Sequence, residues 1–166
     1  MSVTAHDLSG KPVIVLPNSA KKGVVAFFVL RGSPAEIGYA PELKRIALEY
    51  DRKGWAFFLE YLDSIYNPED LKRNAKAFGY AFPVLSPGDG TLRQLGQITI
   101  SPETAVFSRT GKLLYHGRID DSIDASGRPN RGIVTHDLRL TLDAIDTGKP
   151  VSQAYVRPIG TFPPVD

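Results

Sequence analysis

Two patterns of apolar residues alternate along the chain. Residues 24–30 (VVAFFVL) and 55–59 (WAFFL) are continuously apolar and rich in β-branched or aromatic side chains, which is typical of strands covered on both faces. Between them, apolar residues recur at helical spacing from Tyr39 to Tyr50 and predict a helix from about residue 34 to about residue 53. Because a helix connects the two strands, we expect them to lie parallel, with residues 24–30 at the centre of a sheet.

Shorter elements are predicted before and after this unit. They are an N-terminal hairpin turning at Gly10, a helix opened by residues 67–70 and ended by Gly79, a strand at 82–85, a helical turn at 92–95, a hairpin joining 105–107 to 113–119, and a last amphipathic helix marked by Val134, Leu138, Leu142 and Ile145. The sequence therefore predicts an α/β fold with a central mixed β-sheet flanked by helices on both faces and an N-terminal β-hairpin.

The length of 166 residues is that of one domain. A chain of this size buries about 70% of its unfolded surface on folding, which is enough for a core without disulfides. We assign residues 1–150 to a single domain and residues 151–166, which contain Pro158, Pro163 and Pro164, to an extended C-terminal tail.

Charge and hydropathy exclude two classes of partner. The net charge is +2 with both signs interleaved, so no basic stripe for a nucleic acid is present. The longest apolar run has seven residues, against roughly 20 for a membrane-spanning helix, and residues 1–10 do not resemble a signal peptide. We expect a cytoplasmic protein by default, and we leave open export after removal of a leader and assembly into a homodimer.

The chain contains no cysteine. The thiolate is the nucleophile or ligand in disulfide exchange, thiol-based peroxide reduction and most zinc-finger or iron–sulfur sites. Thiol-dependent chemistry is therefore excluded for this chain as written, and we predict no cofactor.

The first long helix has a clear start signal in Ser33-Pro34-Ala35-Glu36. Serine can cap a helix, proline suits the first helical position, and a glutamate three residues after the cap can reach back to the amide of the capping residue. The sequence therefore predicts Ser33 as the N-cap.

Several segments together resemble the redoxin branch of the alkyl hydroperoxide reductase and thiol-specific antioxidant family, a peroxiredoxin-like group of the thioredoxin-like superfamily. The resemblance covers about residues 8–150. It is carried by Phe27 to Leu30 entering Gly32-Ser33-Pro34, by Tyr39-Ala40-Pro41-Glu42-Leu43, by Ser101-Pro102-Glu103-Thr104-Ala105-Val106-Phe107, by Gly111-Lys112, and by Tyr115-His116-Gly117-Arg118-Ile119-Asp120-Asp121.

This resemblance implies a thioredoxin-like fold and a set of thiol positions that are all vacant here. Members carry the nucleophilic cysteine directly before a proline at the start of the first long helix, where this chain has Ser33. A second cysteine would fall at Glu36, or after a glycine near the C-terminus, where this chain has Thr161. The resemblance also implies a cis proline at Pro102, opposite Ser33.

Ser33 could itself be a nucleophile only beside a general base such as histidine. His6, His116 and His136 lie in the first hairpin, at a strand end and at the start of the last helix, outside the loops expected to face Ser33. Helix capping is therefore the preferred interpretation of Ser33. A serine hydrolase is less favoured than a binding module or a thiol oxidoreductase, the two hypotheses discussed below.

Two other groups of residues admit a functional and a structural interpretation. His116, Arg118 and Asp120 alternate on one strand and could hold a metal or an anion, but a solvated strand face explains them more simply, so we predict no metal site. Tyr39 and Tyr61 could line an aromatic cleft at the carboxyl ends of the parallel strands, although core packing is the commoner role of such residues.

The leading hypothesis is a cysteine-less redoxin relative that acts as a non-catalytic binding or interaction module for an unidentified protein or small molecule. The alternative is a thiol-disulfide oxidoreductase or antioxidant peroxidase whose cysteines were replaced in this chain at Ser33 and Thr161. The predicted binding cleft comprises Gly32, Ser33, Pro34, Glu36, Tyr39, Tyr61, Ser101 and Pro102.

Overall fold

A six-stranded sheet and a separate two-stranded hairpin make up the strands of the computed structural model, which describes residues 2–132 and 134–163. The elements in chain order are β1 (Val3–His6), β2 (Pro12–Leu16), β3 (Gly23–Val29), α1 (Pro34–Asp51), β4 (Trp55–Tyr61), α2 (Pro68–Phe78), β5 (Val84–Leu85), α3 (Thr91–Leu95), β6 (Glu103–Ser108), β7 (Leu113–Gly117), α4 (Asp137–Asp146) and β8 (Tyr155–Val156).

The strand order in the large sheet is β5-β4-β3-β6-β7-β8. Strand β3 runs parallel to β4 and antiparallel to β6, so the parallel pair predicted from the intervening helix is confirmed. Strand β3 also lies in the interior of the sheet as predicted, and the hairpin β1–β2 forms at the N-terminus. The predicted α/β class with a mixed central sheet is therefore confirmed.

The continuous apolar run of β3 reflects burial on both sheet faces. All seven of its residues are buried. Val25, Phe27 and Val29 belong to the core cluster that contains the apolar face of α1, whereas Val24 and Phe28 pack in a second cluster with the N-terminal hairpin and α3. A strand with two buried faces cannot alternate polar and apolar residues.

Some predicted elements are shorter in the structure. Helix α4 begins directly after His136, as expected, but Val134 lies outside it, because the Thr135 N–H donates to the Asp121 carboxylate at 2.7 Å and holds this segment in the loop. Strand β7 ends at Gly117, two residues before Ile119, whose carbonyl instead accepts from the Leu138 N–H in the first turn of α4.

The segment predicted as an extended tail packs against the sheet along its described part. Strand β8 pairs in parallel with β7, with His116 opposite Tyr155 and Gly117 opposite Val156. Further on, Thr161 forms an antiparallel bridge with Ser101. The residues after 150 therefore add a short edge strand and return to the loop before β6. Within the described ranges, no helix is long and apolar enough to cross a membrane.

Candidate functional site

The loop from Leu30 to Ser33 lies at the carboxyl end of β3 and leads directly into α1. Ser33 has an extended backbone, and its Oγ accepts a hydrogen bond from the Glu36 N–H at 3.1 Å. Pro34 occupies the first turn, where its missing N–H has no cost. Ser33 is therefore the N-cap of α1, as predicted.

The Glu36 side chain is buried beneath this loop and organises it. Its carboxylate accepts from the Gly32 N–H at 2.6 Å, from the Tyr80 hydroxyl at 3.0 Å and from the Asn74 amide at 3.1 Å. The predicted contact with the Ser33 amide was wrong by one residue, because the Ser33 N–H donates to the Leu30 carbonyl. Burial raises the pKa of the Glu36 carboxyl, although its hydrogen bonds oppose that shift.

The remaining amides of the loop are bound by side chains from other elements. The Leu30 N–H donates to Ser101 Oγ at 2.9 Å, and the Arg31 N–H donates to both oxygens of the buried Asp63 carboxylate at 3.1 and 3.2 Å. The Arg31 guanidinium lies 4.2 Å from the centre of the Tyr66 ring. Every backbone N–H from residue 30 to residue 33 therefore has an acceptor within the protein, which fixes the loop without a thiol.

The structure brings Ser101 and the C-terminal segment to the same loop. The Ser101–Pro102 peptide bond is cis, as the resemblance implied, and both residues are buried. Ser101 and Thr161 exchange two backbone hydrogen bonds, each 2.8 Å long. Thr161, where the family resemblance expects a cysteine, therefore contacts Ser101, and Ser101 in turn binds the Leu30 N–H at the start of the Ser33 loop.

Tyr39 and Tyr61 do not line an open cleft. Both are buried; the Tyr39 hydroxyl donates to the Asp120 carbonyl at 2.7 Å, and the Tyr61 hydroxyl accepts from the Asn74 amide at 2.6 Å. Burial raises the pKa of each phenol far above its ordinary range. Both tyrosines are core residues, so their placement in the cleft was wrong. Glu36, another predicted cleft residue, is also buried and supports the loop through its hydrogen bond with the Gly32 N–H.

The loop between β7 and α4 covers one flank of α1. A side chain on Gly127, whose φ is +79°, would begin 2.6 Å from the Pro34 carbonyl oxygen, and one on Gly38 would begin 2.6 Å from the Ile123 side chain. Glycine is required at position 127, where the obstacle is a backbone atom and φ is positive, whereas the end of the Ile123 side chain can move aside for a larger residue at position 38. The loop between β7 and α4 therefore packs closely against the first two turns of α1.

Large apolar side chains are exposed on the segments that contact the Ser33 loop. Gly32 and Pro34 are exposed and Ser33 is half-buried. Ile37, whose N–H donates to the Ser33 carbonyl, is 57% exposed; Ile65, between Asp63 and Tyr66, is 74% exposed; Phe162, next to Thr161, is 76% exposed. We call the set Gly32, Ser33, Pro34, Ile37, Ile65 and Phe162 the Ser33 rim.

The histidines have partners other than Ser33. His116 Nδ1 lies 3.3 Å from the buried Glu103 carboxylate, and His136 Nδ1 lies 3.6 Å from the Asp120 carboxylate, whereas His6 belongs to β1. Neither of the paired rings can serve as a general base for Ser33 in this arrangement.

The segment that contains His116, Arg118 and Asp120 is not the solvated strand face that the sequence suggested, since β7 ends before Arg118. Arg118 Nε donates to Asp137 at 2.6 Å, and Asp120 is buried. Arg118 and Asp120 pair with Asp137 and His136 at the start of α4, a role that alternation along a single strand cannot reveal.

One group of potential metal ligands comes together near this strand. Oxygen or nitrogen atoms of Glu42, Asp120 and His136 lie within 4.8 Å of one another. However, Arg45 and Arg139 donate to the two Glu42 oxygens at 2.9 and 2.7 Å. Guanidinium groups already neutralise the carboxylate that a cation would need, so the cluster does not favour a metal.

Comparison with known proteins identifies the fold. No family model and no curated protein match the chain. Two similar solved structures are a hypothetical protein from Sinorhizobium meliloti (TM-score 0.82, 24% identity, covering 98% of this chain and 90% of that one) and an uncharacterized conserved protein from Geobacillus kaustophilus (TM-score 0.79, 26% identity, covering 100% and 91%).

A third similar structure has a described class. It is the exposed lipoprotein thioredoxin from Streptococcus pneumoniae, with a TM-score of 0.63, 20% identity, and coverage of 86% of this chain and 98% of that one. Further matches include a secreted disulfide oxidoreductase from Mycobacterium tuberculosis. The chain therefore has the thioredoxin-like fold of thiol-disulfide oxidoreductases, yet contains no cysteine.

Several residues of the site were missed from the sequence. Asp63, Asn74 and Tyr80 reach the Ser33 loop from elements more than 30 residues away in the chain. Asp63 had a usable signal, since polar residues just after a buried parallel strand often lie at the functional edge of a sheet. Asn74 had no such signal.

Proposed function

We propose that this protein is a non-catalytic binding module that recognises an apolar segment of another polypeptide through the Ser33 rim. One observation carries the proposal. In the loop where the family resemblance expects a reactive thiol, every N–H from residue 30 to residue 33 has an acceptor, and the segments that contact this loop carry the exposed side chains of Ile37, Ile65 and Phe162.

Chemistry at Ser33 is disfavoured by its surroundings. A serine hydroxyl needs a neighbouring base to become a nucleophile, and the partial positive charge at a helix N-terminus does not bring an alcohol near neutrality. Its Oγ accepts the capping hydrogen bond from the Glu36 N–H. His116 and His136 each contact a carboxylate, of Glu103 and Asp120 respectively. Capping accounts for Ser33 fully.

A polypeptide partner suits the rim better than a small molecule does. Small-molecule sites are concave and largely enclosed, whereas Tyr39, Tyr61 and Glu36 fill the space below Ser33 and leave an open surface. Exposed large apolar side chains around such a surface are typical of protein-binding sites. An exposed lipoprotein among the structural neighbours supports export as the compartment in which such a module acts.

An array of peptides that tile unrelated proteins tests this proposal. We expect the chain to bind peptides rich in aliphatic and aromatic residues, and the variants Ile37→Lys and Ile65→Lys to lose most of that signal. Ile14→Lys is the matched control, because Ile14 is 62% exposed on β2 and lies outside the rim. Equal loss in the control, or no peptide bound at all, would refute the proposal.

The second candidate function is a thiol-disulfide oxidoreductase of the redoxin type whose cysteines were replaced in this chain. The proximity of the Ser33 loop, cis Pro102 and Thr161 favours it, because these are the positions that the family resemblance assigns to thiol chemistry. The coding sequence of the native gene decides between the two: cysteine codons at positions 33 or 161 would support the oxidoreductase, and serine and threonine codons the binding module.

A further inference from the structure

A groove of about 460 Å³ lies on the far half of the sheet from the Ser33 rim. It is bounded by the second half of α1, by the outer edge of β4 and by residues 79–83. We call it the β4 groove; its lining includes Lys21, Lys44, Leu48, Asp51, Phe57 and Phe82.

The groove exists because β5 is too short to cover β4. The sequence predicted a strand over residues 82–85, but β5 pairs only its two residues, with Leu59 and Glu60. The Leu59 N–H donates to the Pro83 carbonyl at 3.1 Å, and upstream of this bond the chain diverges from β4. Among the residues that the structure describes, no strand therefore pairs with the outer edge of β4 from Trp55 to Phe58.

Backbone groups of β4 face this gap. Lys22 donates to Gly54 and Leu62 donates to Val29, so even-numbered residues along β4 bond to β3. Odd-numbered residues then direct their N–H and C=O groups outward, as the bond from Leu59 to Pro83 illustrates. Phe57, two residues earlier, directs its N–H and C=O toward the groove.

The walls of the groove are apolar and partly aromatic. The Phe57 and Phe82 rings lie 6.4 Å apart, and both contact Phe27 of the core. Leu48, on the facing side of α1, is 62% exposed. Apolar walls in a concavity of a few hundred cubic ångströms are typical of sites for small organic molecules, which span roughly 300–1,000 Å³.

The mouth of the groove has one uncompensated positive charge. Lys21 Nζ lies 3.5 Å from the Asp51 carboxylate, so these two lining charges offset each other. Across the described residues, Lys44 Nζ has no carboxylate within 4.0 Å. The Lys44 ammonium lies beside Gly79, which caps the C-terminus of α2. The partial negative charge at a helix C-terminus stabilises a cation, so this position of the ammonium at the groove is favourable.

We propose that the β4 groove binds a small organic carboxylate with an apolar body, such as a medium-chain fatty acid. The carboxylate pairs with Lys44, and the hydrocarbon lies against Phe57, Phe82 and Leu48. An anionic head and an apolar tail match the Lys44 ammonium and the apolar walls, whereas a neutral hydrocarbon would leave Lys44 without a counter-charge. The site is independent of the Ser33 rim.

Calorimetric titration with decanoate, kept below micelle formation, tests the inference, with 1-decanol as the uncharged probe of equal chain length. We expect saturable 1:1 binding of decanoate, with amide shift changes in residues 56–58 and 79–83 in nuclear magnetic resonance spectra. Lys44→Gln should weaken decanoate binding about three- to fivefold, as for a solvent-exposed ion pair, and leave decanol unchanged.

Two further variants make the test specific. Ala81→Trp, at an exposed groove position, should fill the space and abolish binding, while Lys112→Gln, in the turn between β6 and β7, should bind as the unmodified chain does. Equal affinity for decanol, shifts confined to the Ser33 rim, or no saturable binding would overturn the proposal. Concentration-dependent dimerisation with shifts at residues 55–58 would overturn it too, by assigning the edge to a second copy.

Discussion

Ser101 and Thr161 are joined by a reciprocal pair of backbone hydrogen bonds, each 2.8 Å long. The two segments approach so closely that a Cβ on the neighbouring Gly160 would lie 1.9 Å from the Ser101 carbonyl oxygen. The backbone groups of the residue before the cis proline are thus bound by the C-terminal segment of the same chain, which becomes part of the site.

Replacing Gly160 should detach this segment. In Gly160→Ala the Cβ cannot be accommodated against a backbone atom, so the bridge must open. Hydrogen exchange at the Ser101 and Thr161 amides should accelerate at least tenfold. Gly132→Ala is the control, because the nearest atom to its Cβ would be 3.4 Å away and its exchange pattern should not change. Unchanged protection of Ser101 in Gly160→Ala would show that the contact is not close.

The buried carboxylate of Glu36 should be essential for the shape of the Ser33 loop. Glu36→Ala leaves the Gly32 N–H, the Tyr80 hydroxyl and the Asn74 amide without their acceptor, and should lower the free energy of unfolding by about 3 to 5 kcal/mol. Glu36→Gln keeps an acceptor oxygen and should cost less than half as much. Urea denaturation measures both, and equal losses would contradict this role.

Capping by Ser33 predicts a distinctive order of variants. Ser33→Ala removes the acceptor for the Glu36 N–H and should cost about 1 kcal/mol, while Ser33→Asp and Ser33→Asn, which can also cap, should stay within about 0.5 kcal/mol of the unmodified chain. Thermal or urea unfolding gives these values. If alanine were tolerated as well as aspartate, the hydroxyl would not be acting as a cap.

The buried carboxyl of Glu60 should make stability depend on pH. Burial, with a smaller contribution from the Asp89 carboxylate, raises its pKa from 4.5 to about 7, and Arg93 opposes the shift. The folded protein therefore binds this proton more tightly than the unfolded chain does. The stabilising contribution is complete below pH 4.5 and is lost as pH rises through about 7, a change of about 3 kcal/mol.

Substitution of Glu60 isolates that contribution. The difference in the free energy of unfolding between Glu60→Gln and the unmodified chain should shift in favour of the variant between pH 4.5 and pH 8. Glu69→Gln, at an exposed position of α2, serves as the control and should show no such trend. A difference for Glu60→Gln that is constant over this range would disprove the raised pKa.

Local sequence signals predicted the elements that position the site. Seven consecutive apolar residues identified β3 as an interior strand, and the Ser-Pro-Ala-Glu start identified the cap of α1. Both signals involve residues that are adjacent in the chain or lie within one helical turn of each other. The family resemblance supplied cis Pro102, which no local pattern in this sequence required.

Contacts between distant segments could not be predicted in the same way. Asp63 binds the Arg31 amide across 32 residues, and Asn74 and Tyr80 bind Glu36 across 38 and 44. A hydrogen bond to a backbone amide leaves no periodic trace in a sequence. Tyr39 and Tyr61 show the converse problem, since an aromatic residue near a strand end is equally compatible with a cleft wall and with the core.

We have proposed that the Ser33 rim binds a polypeptide without thiol chemistry. The most direct measurement places the photo-crosslinking residue p-benzoylphenylalanine at position 37, 65 or 14 and compares adducts in cells that produce the native protein. We predict the same protein partner crosslinked from positions 37 and 65 and absent from position 14. Equal crosslinking from all three positions, or none from 37 and 65, would contradict the claim.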